Sequence, residues 1–276
     1  MRLFKKVAII GVGLIGGSLA LDIKKRGLAD TVVGVARHRN SVRFAEKQGV
    51  IDSGSQGISI IKDADCVVFA APVSVILALA PRVAKIIKPG CIVTDVGSTK
   101  EEIVKELKKF FPCFIGSHPM AGSEKRGVAN AQSGLFEHSL CIVTPVAGSN
   151  KVAQEKIIRF WRLIGARVIK MRPSQHDAII SFVSHLPHIV AFSLMQAIPM
   201  PYVQFASSGL NDSTRIATSD PQVWSDIFLS NPKNILKSMA LLEQQLVLMK
   251  SAICKKERRR LLSMLAQAKK KRELLR

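Results

Sequence analysis

The sequence predicts an α/β fold in which a parallel sheet covered by helices is followed by an all-helical domain. Three observations support this prediction. An apolar run leads directly into the glycine pattern G-x-G-x-x-G at residues 11–16. Short apolar runs then alternate with helical patterns as far as residue 171. From Ser174 onward the periodicity is almost entirely helical, so we predict a Rossmann-type domain at 1–172 and a helical domain with a basic tail at 173–276.

The glycine pattern predicts a dinucleotide-binding turn because a strand precedes it and a helix follows it. Gly11 permits a tight turn, Gly13 permits close approach of the backbone to a pyrophosphate, and Gly16 permits close packing of helix on strand. Leu14 and Ile15 are the first residues of the predicted helix, whose free N–H groups would face the phosphates. A glycine-rich turn without a ligand is the alternative interpretation.

The other elements of the first domain follow from apolar, β-branched runs that alternate with amphipathic segments. Because parallel strands buried on both faces read as continuous apolar runs, we expect these runs to form one parallel sheet. The run that ends at Ala71 is stopped by Pro72. The predicted strands cover 7–10, 31–36, 65–71, 91–96, 113–116, 140–144 and 166–171, and the predicted helices cover 14–26, 41–48, 73–87, 100–110 and 150–163.

Composition restricts the class of protein. The chain has 276 residues, of which 47% are hydrophobic, and no apolar run approaches about 18 uninterrupted residues, so we expect a globular protein without a membrane span. Five scattered cysteines without a C-x-x-C pair favour free thiols in the cytoplasm and no metal site. The net charge of +21 is partly concentrated in two C-terminal basic runs without interleaved aromatic residues, which indicates a solvated helix face rather than a nucleic-acid site.

The end of the second predicted strand bears on the choice of cofactor. NAD-binding versions of this unit place an acidic side chain here to bind the ribose hydroxyls. This chain instead has Ala36 followed by Arg37, His38 and Arg39. Two guanidinium groups could bind a 2′-phosphate, so we expect NADP, or use of both cofactors, over strict use of NAD. Ordinary exposed cations are the alternative. The predicted cofactor-binding residues are Gly11, Gly13, Leu14, Ile15, Gly16, Arg37, Arg39, Ala71 and Pro72.

Two segments place polar side chains at the carboxyl ends of predicted strands, where ligands bind in open α/β sheets. One segment contains Ser98, and the other holds His118 between a strand end and Pro119. A histidine there suits proton transfer, because its ordinary pKa lies near neutrality, and Ser98 could hydrogen-bond the imidazole. A loop histidine with only a structural role is the alternative.

The helical domain supplies a second polar cluster. Asp177, Ser181, Ser184 and His188 are spaced i, i+4, i+7 and i+11, which places them on one helix face. The intervening positions are mostly apolar, so this face is predicted to meet a pocket or a partner, or to form a buried hydrogen-bonded stripe without a ligand. Pro187 lacks a backbone N–H and should kink the helix.

A further polar segment contains Arg215, a lone cation suited to bidentate capture of a carboxylate. Shortly after it, Asp220 and Pro221 have the residue types of an N-cap and a first helical position. Trp224 lies in the predicted helix that follows, where we expect it to serve packing rather than chemistry.

Together these segments resemble the prephenate dehydrogenase family, which includes the arogenate and cyclohexadienyl dehydrogenases of tyrosine biosynthesis. The resemblance covers residues 7 to about 230, with the segments in the expected order. SHPMAGSE together with HLPH is far more specific than the glycine pattern. The matching segments are GVGLIGGS, DVGSTK, SHPMAGSEKRG, HDAIISFVSHLPHIVAF and DSTRIATSDPQVWSDI.

The resemblance implies roles for individual residues. His118 corresponds to the catalytic histidine, Ser98 to a serine that bonds the substrate hydroxyl and the nicotinamide side, and Arg215 to an arginine that binds a substrate carboxylate. Asn211 stands where some relatives carry a lysine, which puts carboxylate binding at that position in doubt. The remaining residues matched to the substrate site are Ser184, His188, Asp177 and Glu124, of which Glu124 also matches a gating acid.

The resemblance also implies a reaction, which is oxidative decarboxylation of prephenate to 4-hydroxyphenylpyruvate with hydride transfer to NAD(P)+. It further implies a helical dimerisation domain, hence a homodimer, and a small dicarboxylate substrate. Oxidation of arogenate to L-tyrosine is the alternative within the family. A β-hydroxyacid dehydrogenase or pyrroline-carboxylate reductase would lack SHPMAGSE and HLPH. A nucleotide-dependent binding or regulatory protein with a basic tail is the alternative from another class.

Overall fold

The computed structural model describes residues 2–122 and 125–275. The chain divides into two compact units, Met1–Asn231 and Pro232–Arg276. The first unit contains the sheet and also the helical segment that begins at Pro173, so the change of sequence pattern at residue 172 falls inside this unit. A domain boundary at residue 172 therefore stays a prediction.

A sheet of eight strands forms the centre of the first unit, and it confirms the predicted α/β class. The strands are β1 (Phe4–Ile10), β2 (Ala29–Val35), β3 (Ser53–Ser55), β4 (Cys66–Phe69), β5 (Ile92–Asp95), β6 (Phe114–Pro119), β7 (Leu140–Thr144) and β8 (Arg167–Lys170). Their order in the sheet is β3-β2-β1-β4-β5-β6-β7-β8. The order reverses between β1 and β4, which creates the crevice where α/β proteins bind nucleotides.

The sheet departs from the expected purely parallel arrangement at one pair of neighbouring strands, so that β7 and β8 both run opposite to β1–β6. β7 runs antiparallel to β6, with His118 opposite Ile142, so the prediction of an all-parallel sheet was wrong here. A parallel return needs a crossover that is usually a helix. In the described part of the chain between these two strands, the helical structure is a single 3₁₀ turn at Val128–Asn130. The short β3 was also missed, because its Ser-Gly-Ser sequence carries no strand signal.

Helices cover both faces of the sheet and form the rest of the chain. Those associated with the sheet are α1 (Leu14–Lys25), α2 (Arg39–Lys47), α3 (Val73–Ala84), α4 (Glu101–Phe110) and α5 (Lys151–Ile164). Those of the later segment are α6 (Pro173–Ile180), α7 (Leu186–Ala197), α8 (Ser208–Thr214), α9 (Pro221–Ser230), α10 (Pro232–Cys254) and α11 (Arg258–Arg272). α10 and α11 constitute the second unit.

The alternation of side chains along β1 builds two hydrophobic cores. Val7 and Ile9 belong to the core that also contains residues of α1, α2 and α5, whereas Ala8 and Ile10 belong to the core that contains residues of α3 and α4. Successive side chains of a strand point to opposite faces, so an unbroken apolar run is what a strand covered on both faces requires.

The glycine turn has the backbone geometry that the sequence pattern predicts. Gly11 has φ +107°, and a Cβ there would lie 2.3 Å from the carbonyl oxygen of Ala70. A Cβ at Gly16 would lie 2.1 Å from the carbonyl oxygen of Gly11. Only glycine therefore fits these two positions, which confirms the tight turn and the close packing of α1 on the sheet.

A π-helical turn at Ser181–His185 joins α6 to α7, so that residues 173–197 form one continuous helical run. This turn lies just before Pro187, where the sequence predicts a kink, and its wider pitch rotates the residues that follow. The run has a mean hydropathy of 1.7 in its most apolar window, which satisfies the length and composition of a membrane-crossing helix. Core helices of globular proteins satisfy the same criteria. Its buried side carries His176 and Asp177, which bond to elements of the α/β unit.

Candidate functional site

A cavity of about 610 Å³ lies beyond the carboxyl ends of β1, β4 and β5. Segments 13–15, 70–73 and 96–98, which follow these three strands, line one side. The loop after β6 contributes residues 121–122 and 125–127, and the opposite side consists of His188 and residues between 215 and 227. The cavity therefore joins the predicted nucleotide turn to the helical segment within the first unit.

The nucleotide side of the cavity fits a dinucleotide. A Cβ at Gly13 would meet no atom within 4 Å, so the backbone there faces open space that a phosphate group could enter. α1 begins at Leu14, and the N–H groups of its first turn supply donors together with the positive end of the helix dipole. Ala71 and Pro72 line the same cavity. An NAD(P) molecule would be held by these residues and by Gly97.

The residues that follow β2 leave the choice of cofactor open. Ala36 is buried, and Arg37, His38 and Arg39 are exposed, with α2 beginning at Arg39. The backbone carbonyl of Arg37 accepts a 2.9 Å hydrogen bond from the side-chain amide of Gln56. Neither arginine is part of the cavity wall, but both follow the strand next to β1 at the carboxyl edge of the sheet.

The helical side of the cavity carries an aromatic stack beside a cation. The rings of His188 and Trp224 are 3.5 Å apart between centroids, with 20° between their planes. The Nδ1 of His188 lies 2.9 Å from the carbonyl oxygen of Ser184, so Nδ1–H donates to it and Nε2 is left as an acceptor. Arg215 lines the cavity next to this stack. Trp224 thus forms part of the cavity wall, which its sequence position alone did not indicate.

His118 is held from behind by two residues of α6. Its Nδ1 lies 2.8 Å from Nε2 of His176, and Nδ1 of His176 lies 2.7 Å from a carboxylate oxygen of Asp177. The same carboxylate accepts hydrogen bonds from the backbone N–H of Lys100, at 2.7 Å, and of Glu101, at 2.8 Å. Asp177 therefore binds the N-terminus of α4 and is not part of the cavity wall, and the place in the substrate site that the resemblance implies for it stays a prediction.

A second buried pair ties β5 to β6 beneath the site. The ammonium of Lys100 contacts the carboxylate of Asp95, and both side chains are fully buried. Lys100 Nζ also donates to the carbonyl of Thr99, at 2.8 Å. Asp95 accepts from the backbone N–H groups of Gly97, at 2.9 Å, and Ser117, at 3.1 Å. These bonds satisfy both charges and fix the two strand ends that precede Ser98 and His118.

Burial keeps the histidines of this region neutral. It lowers the pKa of His118 well below its ordinary range, and the neighbouring His176, Lys100 and His185 act in the same direction. Burial also lowers the pKa of His185, to about 4. For His188, burial and Arg215 lower the pKa, against the bond to Ser184 that raises it. At neutral pH, His118 therefore offers a lone pair and not a positive charge.

The predicted site residues are only partly brought together. Ser98, His188 and Arg215 line the cavity, whereas His118 lies behind it with 8% of its surface exposed. Among the described residues, no hydrogen bond joins Ser98 to His118, and the bond that orients the ring comes from His176 instead. Ser184 is half-buried outside the cavity wall. Glu124 lies outside the described residues.

The π turn explains part of this difference. It makes His185, not Ser184, the fully buried residue one turn after Ser181. The spacing of an ideal α-helix could not predict that shift. The roles of His176 and Lys100 were also not predicted. Their bonding partners are either distant in the sequence or belong to backbone whose path the sequence does not give. A histidine beside an aspartate at the start of a predicted buried helix is the signal that could have indicated His176; no comparable signal marks Lys100.

Comparison with known proteins agrees with this geometry. The model of the prephenate dehydrogenase nucleotide-binding domain matches residues 19–170, and that of the prephenate dehydrogenase dimerization domain matches residues 172–267. The chain belongs to the prephenate dehydrogenase family. The glycine turn precedes the first matched residue, so its assignment rests on its own geometry.

Individual relatives from this family are similar over most of the chain. A prephenate dehydrogenase of Bacillus subtilis is 39% identical over 241 residues, which are 83% of this chain and 65% of that protein. A cyclohexadienyl dehydrogenase of Zymomonas mobilis is 32% identical over 86% of this chain and 84% of its own length. The crystal structure of prephenate dehydrogenase from Aquifex aeolicus with hydroxyphenyl propionate and NAD+ superposes with a TM-score of 0.94, at 33% identity over 99% of this chain and 98% of that one. This chain thus spans slightly less than two thirds of the Bacillus relative.

Burial of His185 predicts a loss of stability in acid. Between pH 6.5 and pH 4 the unfolded state binds a proton at this residue and the folded state does not, because the folded pKa is lowered to about 4. Unfolding then takes up a proton, so stability falls as pH falls, by at most about 1.4 kcal/mol per pH unit for this group. Urea unfolding from pH 4 to 8 should show a shallower slope for His185→Asn than for the wild type. Equal slopes would contradict the burial of this imidazole in the folded state.

Proposed function

We propose that this chain catalyses the oxidative decarboxylation of prephenate to 4-hydroxyphenylpyruvate with NAD(P)+. The observation that carries the proposal is the position of His118. His118 is the next-to-last residue of β6, at the same edge of the sheet as the glycine turn and behind a cavity whose far side carries Arg215. Membership of the prephenate dehydrogenase family supports the choice of reaction, as does the name of the Bacillus relative.

The chemistry assigned to the chain is alignment and acceptance of a proton. When bound, the oxidised nicotinamide supplies the hydride acceptor. Neutral His118 accepts a hydrogen bond from the ring hydroxyl of prephenate and takes its proton as that carbon becomes a ketone. Ser98, on the cavity wall, is a second hydrogen-bonding group for the same oxygen. Loss of carbon dioxide then makes the ring aromatic, so the reaction is driven forward once the substrate is aligned.

The cation on the helical side sets the orientation of the substrate. Arg215 would bind a carboxylate of prephenate, and Trp224 with His188 would form the flat wall against the ring. Asn211 is exposed and contributes no charge at the position where some relatives carry a lysine. Arogenate differs from prephenate only in an amino group on the side chain, so arogenate oxidation is the second candidate. The cyclohexadienyl dehydrogenase among the relatives favours testing both substrates.

For the cofactor we propose a preference for NADP, with NAD as the alternative. The support is the pair of exposed arginines, Arg37 and Arg39, after β2, together with the lack of an acidic residue at Ala36. The similar Aquifex aeolicus structure contains NAD+, which favours the alternative.

We further propose a cytoplasmic homodimer assembled through the helical domain, with a domain boundary near residue 172. The support is the dimerization-domain match at 172–267 and the large apolar residues exposed in the helical segments of both units. Apolar surface of this kind is typical of an interface between subunits. Phe182, Val183, Leu236, Val247 and Ile253 are examples.

Replacement of the catalytic histidine tests the reaction. His118→Asn should reduce turnover with prephenate by roughly 10²- to 10⁴-fold while cofactor affinity stays near the wild-type value, because the residue transfers a proton and does not touch the dinucleotide. Cofactor reduction and 4-hydroxyphenylpyruvate formation are measured with each of prephenate and arogenate. The matched control is His138→Asn, which removes an exposed histidine outside the cavity. Near-normal turnover of the His118 variant, or no reduction with either substrate by the wild type, would refute the proposal.

Replacement of the two arginines tests the cofactor preference. Arg37→Ala and Arg39→Ala should each raise KM for NADP by about 10-fold or more with little change for NAD, because a charge-assisted bond to a 2′-phosphate contributes about 1.5–3 kcal/mol. Arg82→Ala, an exposed arginine in the last turn of α3, is the control. A wild-type enzyme that reduces NAD more efficiently than NADP, with both variants unchanged, would overturn the preference.

A further inference from the structure

A line of hydrogen bonds runs from His118 into the interior and ends on the backbone of α4. It passes from Nδ1 of His118 to Nε2 of His176, and from Nδ1 of His176 to the carboxylate of Asp177. His176 and Asp177 have at most 1% of their surface exposed, whereas His118 retains 8%. A ligand can therefore meet this line only through His118.

The donors and acceptors along the line can be assigned from its inner end. The Asp177 carboxylate accepts from two backbone N–H groups, those of Lys100 and Glu101, at the positive end of α4. Burial raises the pKa of Asp177, and these two bonds and the nearby Lys100 charge oppose that rise. The two N–H donors, one on each carboxylate oxygen, are the arrangement that suits the ionised form. An ionised carboxylate can only accept, so Nδ1 of His176 must carry a proton.

The remaining assignments follow from one another. Burial, reinforced by Lys100 and His185, lowers the pKa of His176, so this ring is neutral and its Nε2 has a lone pair. Nδ1 of His118, 2.8 Å away, must then be the donor. His118 is also neutral, which leaves its Nε2 unprotonated.

We propose that His176 is a positioning residue that holds His118 in the Nδ1-protonated tautomer, so that the lone pair on Nε2 is presented to the substrate hydroxyl. The inference rests on the proposed function, because the tautomer affects catalysis only if His118 accepts a proton from the substrate. The opposite tautomer would present an N–H donor to the same hydroxyl, and the imidazole could not then take its proton.

The geometry indicates that His176 acts through this bond rather than through contact with ligand. Its ring meets that of His118 edge to face, with centroids 5.0 Å apart and planes at 62°, and it has no exposed surface. The positions of both its nitrogens are set by partners on different elements, His118 on β6 and Asp177 on α6. Loss of the Nε2 acceptor alone should therefore release the tautomer of His118 without opening the site to a different substrate.

The tautomer is measured directly in the free protein. All six histidines of the chain are labelled with ¹⁵N in the imidazole. The resonances of His118 are those that are missing from the spectrum of His118→Asn. We expect the wild-type protein to show Nδ1 of His118 protonated and Nε2 unprotonated at neutral pH. A wild-type His118 protonated on Nε2 would overturn the proposal without any variant. This readout needs no substrate, so it stays decisive even if the protein fails to oxidise prephenate, an outcome that would refute only the proposed function.

Two variants separate the acceptor from the rest of the His176 side chain. In His176→Gln, the amide oxygen can reach the position of Nε2 and still accept from His118. In His176→Asn, the shorter amide can reach only the position of Nδ1, so His118 loses its acceptor. We expect the Gln variant to keep the Nδ1-protonated tautomer and kcat within a few-fold of the wild type.

We expect the Asn variant to populate the Nε2-protonated tautomer and to lose kcat by about 10²-fold. This is less than the roughly 10⁴-fold that a wrong tautomer costs a hydrolase triad. KM for the cofactor should not change in either variant. Equal kcat and an equal tautomer in the Asn variant and the wild type would contradict the proposal. So would equal losses in both variants with the His118 tautomer retained, because that result indicates a packing role only.

Discussion

The arrangement of the site depends on the contact between the Asp177 carboxylate and the first N–H groups of α4. α4 follows β5 and so belongs to the sheet, whereas Asp177 belongs to the helical segment. Two short backbone bonds at the positive end of a helix make this a favourable place for a buried negative charge. The contact attaches α6 to the edge of the sheet near the end of β6, where His118 lies. Without it, the two histidines would have no fixed relation.

A second carboxylate repeats the arrangement on the neighbouring helix. Asp226, on α9, accepts a 2.9 Å hydrogen bond from the backbone N–H of Ser74 in the first turn of α3. A third contact of the helical segment with this edge joins the hydroxyls of Thr99 and Ser230 at 3.0 Å. The helical segment therefore covers the carboxyl edge of the sheet through helix N-termini that would otherwise have unsatisfied donors. The cavity lies at this covered edge, with the glycine turn on one side and Arg215 on the other.

The extent to which the sequence predicts this structure depends on how local each signal is. The glycine turn was predicted in detail, because the tight turn and the close helix packing are properties of a few adjacent residues. The strands that read as continuous apolar runs were predicted for the same reason. The antiparallel direction of β7 and β8 relative to β6 was not, because it depends on the path of the chain between β6 and β7, for which the sequence carries no local signal. The π turn was missed because no residue type marks it. Its wider pitch is what buries His185 in place of Ser184.

The candidate site was predictable in its residues and not in its connections. His118, Ser98 and Arg215 were identified from residue type, strand ends and family resemblance. The bond to His118 comes from a residue 58 positions away, so it requires the docking of α6 on the sheet, which is a tertiary event. Asp177 was predicted for the substrate site, and the structure shows its carboxylate bonded to the N-terminus of α4 and to His176. The role of a buried polar group depends on the groups to which it bonds, and a single sequence does not show which groups those are.

The most direct measurement of the central claim is a double-mutant cycle in kcat between His118→Asn and His176→Asn. If His176 acts only by orienting His118, its replacement has nothing further to remove once His118 is absent. The predicted result is a double variant with the same kcat as His118→Asn alone, although His176→Asn is slow in the wild-type background. A double variant slower by the product of the two single losses would contradict the claim, because it would mean that the two histidines contribute independently.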